Sequence, residues 1–136
     1  MPQLIVEADK DRITQVVSNL LNNAVKFTKD DGNIVISVRT VESSNNIAST
    51  YKSIELKEDK AVIVTVKDTG IGIDPEVFPK LFEKFMSRSF QGTGLGLFIS
   101  KNIIEAHGGK IWAENNVDGQ GATFHFTLPI SEEKFS

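Results

Sequence analysis

Two glycine-rich clusters constrain this chain more than any other feature. The first, residues 68–72 (D-T-G-I-G), directly follows the β-branched run 62–66 and therefore stands at the exit of a predicted buried strand. The second, residues 92–96 (G-T-G-L-G), opens an apolar stretch with helical spacing. Glycine lets a ligand approach main-chain N–H groups, and the N-terminus of a helix attracts anions. Two such loops in one small domain indicate a nucleotide site, with one loop for the base and one for the phosphates.

Either cluster alone is a weak signal, because a short Gly-x-Gly turn is most often only a turn. The common nucleotide loops are excluded by inspection. The chain has no G-x-x-x-x-G-K-[ST] phosphate loop, and Pro75 and Ile99 stand where a dinucleotide-binding fingerprint requires a further glycine. The H-R-D and D-F-G motifs of protein kinases are absent as well.

A third element strengthens the nucleotide hypothesis. Residues 9–27 carry apolar side chains at helical spacing and predict an amphipathic helix with Asp9 or Asp11 as its N-cap. Asn19, Asn23 and Lys26 recur at i, i+4 and i+7 and form a polar stripe beside the apolar one. The ordinary interpretation is a solvated helix face, yet asparagine is a poor helix former. Two amide oxygens and an ammonium group in a row suit Mg²⁺ and triphosphate oxygens.

Four ordered motifs together resemble those of sensor histidine kinases. Residues 19–28 (N-L-L-N-N-A-V-K-F-T) resemble the N box, residues 68–72 the G1 box, residues 81–85 (L-F-E-K-F) the F box and residues 92–97 the G2 box. Their order and spacing agree over essentially the whole chain. The sequence is therefore similar to the catalytic and ATP-binding domain of a two-component histidine kinase, in the superfamily shared with DNA gyrase, Hsp90 and MutL.

Composition agrees with one domain over residues 1–136. A chain of 136 residues that is 40% hydrophobic is long enough for a single core and short for two. No apolar run approaches the roughly 18 residues of a membrane span, and no signal-peptide pattern is present. A net charge of −3 argues against nucleic acid and anionic lipid as partners. The absence of cysteine fits a reducing compartment, so we expect a cytoplasmic domain whose parent kinase can be membrane-anchored.

The predicted elements give a two-layer α/β sandwich, and the resemblance implies the same Bergerat-type ATP-binding fold. We expect a mixed sheet with three main helices on one face. The predicted strands are residues 4–7, 34–41, 61–67, 110–114 and 122–128, with an exposed loop at 42–60 that includes a weak strand at 51–56. The predicted helices are residues 9–27, a second that starts at Asp74-Pro75 and continues to Phe85, and residues 95–107.

The resemblance implies a role in binding the base for several residues. Asp68 would accept a hydrogen bond from the adenine amino group, and the Thr123 hydroxyl would support that contact through water. Gly72 would let the backbone pass beside the base. Phe27 would pack on the adenine ring, although a phenylalanine on a helix is by default part of the core.

The resemblance also implies a metal and phosphate site. Asn23, with Asn19, would ligate Mg²⁺, and Lys26 would contact the phosphates. Residues 86–91 would form the ATP lid, in which Arg88 is the cation able to reach the γ-phosphate. This lid is shorter than most in the family, and Gln91 replaces a frequent glycine. The predicted catalytic residues are Asn19, Lys26 and Arg88, and the predicted nucleotide-binding residues are Asn19, Asn23, Lys26, Phe27, Asp68, Gly70, Gly72, Ile73, Gly92, Thr93, Gly94, Leu95, Gly96 and Thr123.

Histidine kinases transfer phosphate to a histidine, and this chain contains two. His107 lies at a predicted helix C-terminus and His125 on a strand, and neither follows the acceptor pattern of an early helix with an adjacent acidic residue. We therefore expect both to be structural. The acceptor would belong to a dimerisation domain absent here, in a larger kinase that signals onward to a response regulator.

Two alternatives to phosphotransfer remain open within the superfamily. A gyrase-type ATPase carries a glutamate that activates water at the position of Asn19, and an amide cannot act as a general base. Asn19 therefore favours transfer of the γ-phosphate over hydrolysis. A nucleotide-binding module without catalysis is the second alternative, which the intact motifs disfavour.

Overall fold

The structure is a computed structural model that describes residues 6–42, 60–84 and 94–130. In chain order it contains helix α1 (Lys10–Phe27), strands β1 (Ile34–Glu42) and β2 (Lys60–Asp68), a 3-10 helix (Phe78–Lys80), helix α2 (Gly96–Ala106), and strands β3 (Ile111–Asn115) and β4 (Ala122–Pro129). The four strands form one sheet in the order β1-β2-β4-β3. The predicted α/β fold class is confirmed.

All neighbouring strands in the described sheet are antiparallel, which differs from the predicted mixed sheet. Strands β2 and β3, which precede and follow α2 in the chain, do run in the same direction. In the sheet, however, β4 lies between them, so they do not pair. Of the predicted strand at 4–7, Val6 and Glu7 are not in a strand and the rest lies outside the described residues. Residues 43–59, with the predicted weak strand, lie outside them too.

The core lies between the two helices and one face of the sheet. The apolar stripe of α1 predicted from the sequence is buried there, with Val16 and Leu20 almost inaccessible to solvent. From α2, Leu97 and Ile104 join them, and Phe124 and Phe126 of β4 close the core from the sheet side. Alternation along the strands places the residues between these on the opposite face of the sheet.

Helix α1 begins where the sequence predicts. Asp9 is its N-cap, and the Asp9 carboxylate accepts from the backbone N–H groups of Asp11 and Arg12 at 3.1 and 3.2 Å. The Asp9 N–H itself donates to Nε2 of His107 at 3.0 Å, while Nδ1 of His107 lies 2.8 Å from the carbonyl oxygen of Ile103. Because an N–H can only donate, the proton of this imidazole resides on Nδ1. His107 therefore joins the start of α1 to the end of α2, a structural role as predicted.

The predicted helix after Asp74-Pro75 is wrong in its type and length. The Asp74 carboxylate does accept from the backbone N–H of Glu76 at 2.9 Å, but the chain then forms only a turn and the 3-10 helix Phe78–Lys80. Pro79 explains the difference. It has no N–H to donate to the carbonyl group four residues earlier, its ring clashes there, and it disfavours the α conformation of Phe78. Apolar spacing alone suggested an α-helix that Pro79 forbids.

Neither α1 nor α2, the two α-helices among the described residues, is long and apolar enough to cross a lipid bilayer.

Candidate nucleotide-binding site

Asp68 is the last residue of β2, and its carboxylate is buried at the floor of the candidate site. The side chain is 1% exposed, and Oδ1 accepts from the N–H of Gly70 at 2.9 Å and of Ala122 at 3.2 Å. Backbone donors from the loop after β2 and from the first residue of β4 therefore fix its orientation. A buried, oriented carboxylate is an acceptor that selects a ligand with a matching donor group.

The glycines around Asp68 permit close contact between three backbone segments. A Cβ on Gly70 would lie 2.1 Å from the carbonyl oxygen of Phe27, and a Cβ on Gly121 would lie 2.0 Å from that of Asp68. The N–H of Ile71 also donates to the Phe27 carbonyl at 3.2 Å. Gly70 and Gly121 are therefore required for backbone packing. Gly72 is buried and has a φ of +79°, which an L side chain rarely adopts.

Two asparagines that the sequence analysis missed hold this loop in place. Asn115 makes two hydrogen bonds to one residue, because its Oδ1 accepts from the N–H of Ile73 at 2.7 Å and its Nδ2 donates to the Ile73 carbonyl at 2.9 Å. Asn116 donates from Nδ2 to the carbonyl oxygens of Asp68 and Gln120, both at 2.8 Å. The signal that could have found them is an Asn-Asn pair at a strand end before an Asp-Gly turn.

Thr123 does not occupy the position predicted for it. It pairs with Lys67 in the sheet, so its side chain lies on the face opposite that of Asp68. Its hydroxyl donates to Oδ1 of Asn116 at 2.5 Å, and Asn116 in turn donates to the backbone of Asp68. Thr123 therefore supports the loop through an asparagine, from the face of the sheet opposite the Asp68 carboxylate.

On α1, the structure orients Asn19 toward α2. Its Nδ2 donates to the carbonyl oxygen of Gly96 at 3.2 Å and lies 3.1 Å from Oγ of Ser100. A carbonyl oxygen can only accept, so this contact identifies the end of the amide that faces it as the nitrogen. The Asn19 oxygen also stays near the start of α2, 3.9 Å from where a Cβ on Gly96 would lie. The oxygen is the atom that can ligate a metal. Asn19 thus connects α1, which carries the N box, to the start of α2, which carries part of the G2 box. The two motifs are therefore close together, as a shared ligand site requires.

The other site residues predicted on α1 lie in its last turns. Asn23 is half-buried, and Lys26 is exposed with its ammonium nitrogen 5.4 Å from the centroid of the Phe27 ring. Phe27 is 8% exposed, so its side chain is largely buried in the core.

The second glycine cluster is described in part. Gly94 has a φ of +73°, and Leu95 is the N-cap residue of α2, so Gly94, Leu95 and Gly96 lead directly into the helix. Gly92, Thr93, Arg88 and the predicted lid at 86–91 lie outside the described residues.

The described donor set fits Mg²⁺ brought in by a triphosphate. Residues 6–42, 60–84 and 94–130 contain no group of three or more histidine, cysteine or acidic side chains able to hold a metal ion alone. Mg²⁺ bound by one or two protein oxygens, phosphate oxygens and water does not need such a group. The amide oxygens of Asn19 and Asn23, one helical turn apart on α1, are ligands of the kind that this requires.

Comparisons with known proteins agree with this geometry. Residues 8–132 match the family model described as "Histidine kinase-, DNA gyrase B-, and HSP90-like ATPase". The chain is 38% identical over 137 residues to the sensor histidine kinase WalK of Bacillus subtilis (strain 168), an alignment that covers 96% of this chain and 20% of WalK. It is 40% identical over 129 residues to the sensor protein FixL of Bradyrhizobium diazoefficiens, which covers 95% of this chain and 23% of FixL.

Solved structures give the same result. The catalytic domain of histidine kinase ThkA, in a nucleotide-free form, is 37% identical with a TM-score of 0.69, covering 91% of this chain and 71% of that one. Full-length ShkA in complex with AMPPNP is 30% identical with a TM-score of 0.73, covering 96% of this chain and 24% of ShkA. The chain spans about a fifth of the length of its curated relatives. It belongs to the histidine kinase-, DNA gyrase B- and HSP90-like ATPase family, as an ATP-binding domain of the sensor histidine kinase type.

Proposed function

We propose that this chain binds ATP with Mg²⁺ and donates the γ-phosphate to a histidine on a separate dimerisation domain, as the catalytic domain of a cytoplasmic kinase module. The observation that carries the proposal is the buried carboxylate of Asp68, fixed by the N–H groups of Gly70 and Ala122 at the mouth of a glycine loop. Adenine offers an amino group to this carboxylate, whereas guanine offers a carbonyl oxygen that the carboxylate would repel. Phe27 and Ile73 supply apolar contacts beside the base, and Gly72 gives it room.

The phosphate end of the site rests on α1 and on the start of α2. Asn23 and Asn19 hold Mg²⁺, and Lys26 provides a positive charge for the phosphates. The N–H groups at Gly94, Leu95 and Gly96 supply donors at a helix N-terminus, together with Gly92 and Thr93. The metal neutralises charge on the triphosphate, which is the main demand of phosphoryl transfer besides positioning. Arg88 is the cation proposed to reach the γ-phosphate from the lid.

The engagement of both histidines supports an acceptor on another domain. The ring nitrogens of His107 contact Asp9 and Ile103, and those of His125 contact Thr65 and Glu114. A nucleophilic imidazole needs a nitrogen lone pair open to the γ-phosphate. We therefore assign the acceptor to the dimerisation domain of the parent kinase, with a response regulator as the next recipient.

Asn19 separates this proposal from the ATPase alternative. Its amide nitrogen is committed to α2, and an amide has no basic lone pair with which to activate water. The isolated domain should therefore bind ATP and hydrolyse it very slowly.

The test is incubation with radiolabelled ATP, with and without the dimerisation hairpin of the parent kinase. We expect acid-labile label on the hairpin only, and none on a hairpin whose acceptor histidine is replaced by alanine. Label on His107 or His125 would refute the separate acceptor. Rapid phosphate release would favour the ATPase, and ATP binding without any transfer would favour the non-catalytic module.

A further inference from the structure

Three buried residues connect the two faces of the sheet beside the candidate site. Thr123 and Asn116 are 7% and 9% exposed, and Asp68 is 1% exposed. The Thr123 hydroxyl donates to Oδ1 of Asn116 at 2.5 Å, and Nδ2 of Asn116 donates to the carbonyl oxygen of Asp68 at 2.8 Å. Thr123 lies on the face of the sheet opposite the Asp68 carboxylate. The base end of the site is therefore linked to a residue that lies outside it.

The Thr123 hydroxyl determines which way the amide of Asn116 points. Nδ2 of Asn116 lies 2.8 Å from the carbonyl oxygens of both Asp68 and Gln120, and a carbonyl oxygen can only accept. The amide nitrogen must therefore face them, and the amide oxygen must find a donor on its other side. Thr123 supplies that donor. Without the hydroxyl, the buried oxygen of Asn116 would lose this hydrogen bond, which costs free energy and loosens the amide.

Asn116 fixes the main chain of Asp68, whereas other groups fix its carboxylate. The carboxylate accepts from the N–H groups of Gly70 and Ala122. The carbonyl oxygen of Asp68 accepts from Asn116, whose own N–H donates to the carbonyl oxygen of Gly121 at 3.0 Å. Because the carboxylate moves with the main chain that carries it, a loosened Asn116 would displace the acceptor proposed for the base.

These hydrogen bonds belong to the base end of the site. They run between the end of β2 and the turn that joins β3 to β4. The residues proposed for Mg²⁺ and the phosphates lie instead on α1 and at the start of α2, which Asn19 joins to each other. A change at Thr123 should therefore alter binding of the base without a separate effect on the metal.

We infer that Thr123 is a positioning residue for base recognition, which acts on Asp68 through Asn116 and does not contact the ligand. The inference rests on the proposed function and adds to it a residue from the opposite face of the sheet. Its signature is an equal loss of affinity for ATP with Mg²⁺ and for metal-free adenosine, because both ligands carry the base. This signature separates Thr123 from Asn23, whose effect depends on the metal.

The test compares two threonine-to-valine variants that each remove one buried hydroxyl from the same face of β4. Thr127 is 2% exposed, and its hydroxyl accepts from the N–H of Lys110 at 2.9 Å, toward the end of β4 away from Asp68. By calorimetry, Thr123→Val should weaken binding of both ligands equally, at least about fivefold, the value of one hydrogen bond. Thr127→Val should bind both within about twofold of the unchanged protein. Thr123→Ser, which keeps the hydroxyl, should retain most of the affinity.

A double-mutant cycle tests the route through Asn116. In an Asn116→Ala background, Thr123→Val should cause little further loss of adenosine affinity, because the group through which it acts is gone. Urea denaturation checks that every variant is folded under the conditions of the binding measurement.

Four outcomes would overturn the inference while the unchanged protein still binds ATP and the proposed function stands. They are that Thr123→Val binds adenosine as well as Thr127→Val does, that only ATP with Mg²⁺ is affected, that Thr123→Ser loses as much as Thr123→Val, or that the losses of Thr123→Val and Asn116→Ala add. A failure of the unchanged protein to bind ATP would overturn the proposed function itself, and this inference with it.

Discussion

At the scale of single residues, the role proposed for Asp68 is to select the base of the nucleotide. We predict that Asp68→Asn weakens ATP binding by on the order of 2–3 kcal/mol, about 30- to 150-fold, because the amide replaces a charged acceptor with a mixed donor and acceptor. The fold should survive, since the amide oxygen can still accept from Gly70 and Ala122. Calorimetry measures the affinity, with Asp11→Asn on the exposed first turn of α1 as the matched control. A folded Asp68→Asn protein that binds ATP within about twofold of the original would contradict the site.

Ser100 acts on the proposed site indirectly, through its hydrogen bond with Asn19. Its side chain is fully buried, and its hydroxyl accepts from the amide nitrogen of Asn19, which leaves the amide oxygen as the atom proposed to ligate Mg²⁺. Ser100→Ala should weaken binding of ATP with Mg²⁺ about fivefold, the value of one neutral hydrogen bond, and leave binding of metal-free adenosine unchanged.

Two further variants calibrate that measurement. Asn23→Ala should show the same selective loss on a larger scale, because it removes a proposed metal ligand. Ser18→Ala, which removes an exposed hydroxyl on α1, should bind both ligands normally. Equal losses of ATP and adenosine in Ser100→Ala would mean that the hydroxyl only supports helix packing.

At the scale of elements, the loop after β2 packs against the end of α1 only because Gly70 has no Cβ. We predict that Gly70→Ala lowers the free energy of unfolding by about 3 kcal/mol, because the new Cβ would lie 2.1 Å from a backbone oxygen that cannot move alone. Gly119 is the control, since it has a φ of +81° and a Cβ added there would meet no atom within 4 Å, so Gly119→Ala should lose only about 1 kcal/mol. Urea denaturation compares the two, and equal losses would show that the junction relaxes.

Signals local in the sequence predicted most helices and strands well, whereas contacts between distant parts of the chain could not be predicted. Helix α1 was predictable because its cap at Asp9 and its apolar period both lie within the helix. The prediction of an α-helix after Pro75 is wrong because the apolar spacing indicates a helix that Pro79 prevents. The Asn-Asn pair before an Asp-Gly turn is visible in the sequence. Its hydrogen bonds to the loop after Asp68 could not be predicted, because they depend on β4 lying between β2 and β3. The sheet face on which Thr123 lies could not be predicted for a related reason, since it follows from the register of β4 against β2.

At the scale of the whole molecule, His125 makes stability depend on pH. Its pKa is lowered from 6.5 by burial, so the unfolded chain binds a proton in the window between the lowered value and 6.5 where the folded chain does not. Stability is therefore complete above about pH 6.5 and falls as the pH decreases through that window. Urea unfolding at about pH 7.5 and about pH 5.5 should show a larger loss for the unchanged protein than for His125→Gln. An equal loss in both would assign the dependence to other groups.

The strand order has a consequence for how the domain assembles in time. Strands β1 and β2 form one antiparallel pair and β3 and β4 another, and the sheet joins the two pairs where β2 pairs with β4, as between Thr65 and His125, which are 60 residues apart. Closing so long a loop is a slow, late event in folding. The Asp68 loop belongs to the first unit, and the asparagines that hold it belong to the second. A half-assembled chain therefore lacks the asparagines that hold the proposed nucleotide site, and ATP, by binding only the completed fold, would favour the last step of folding.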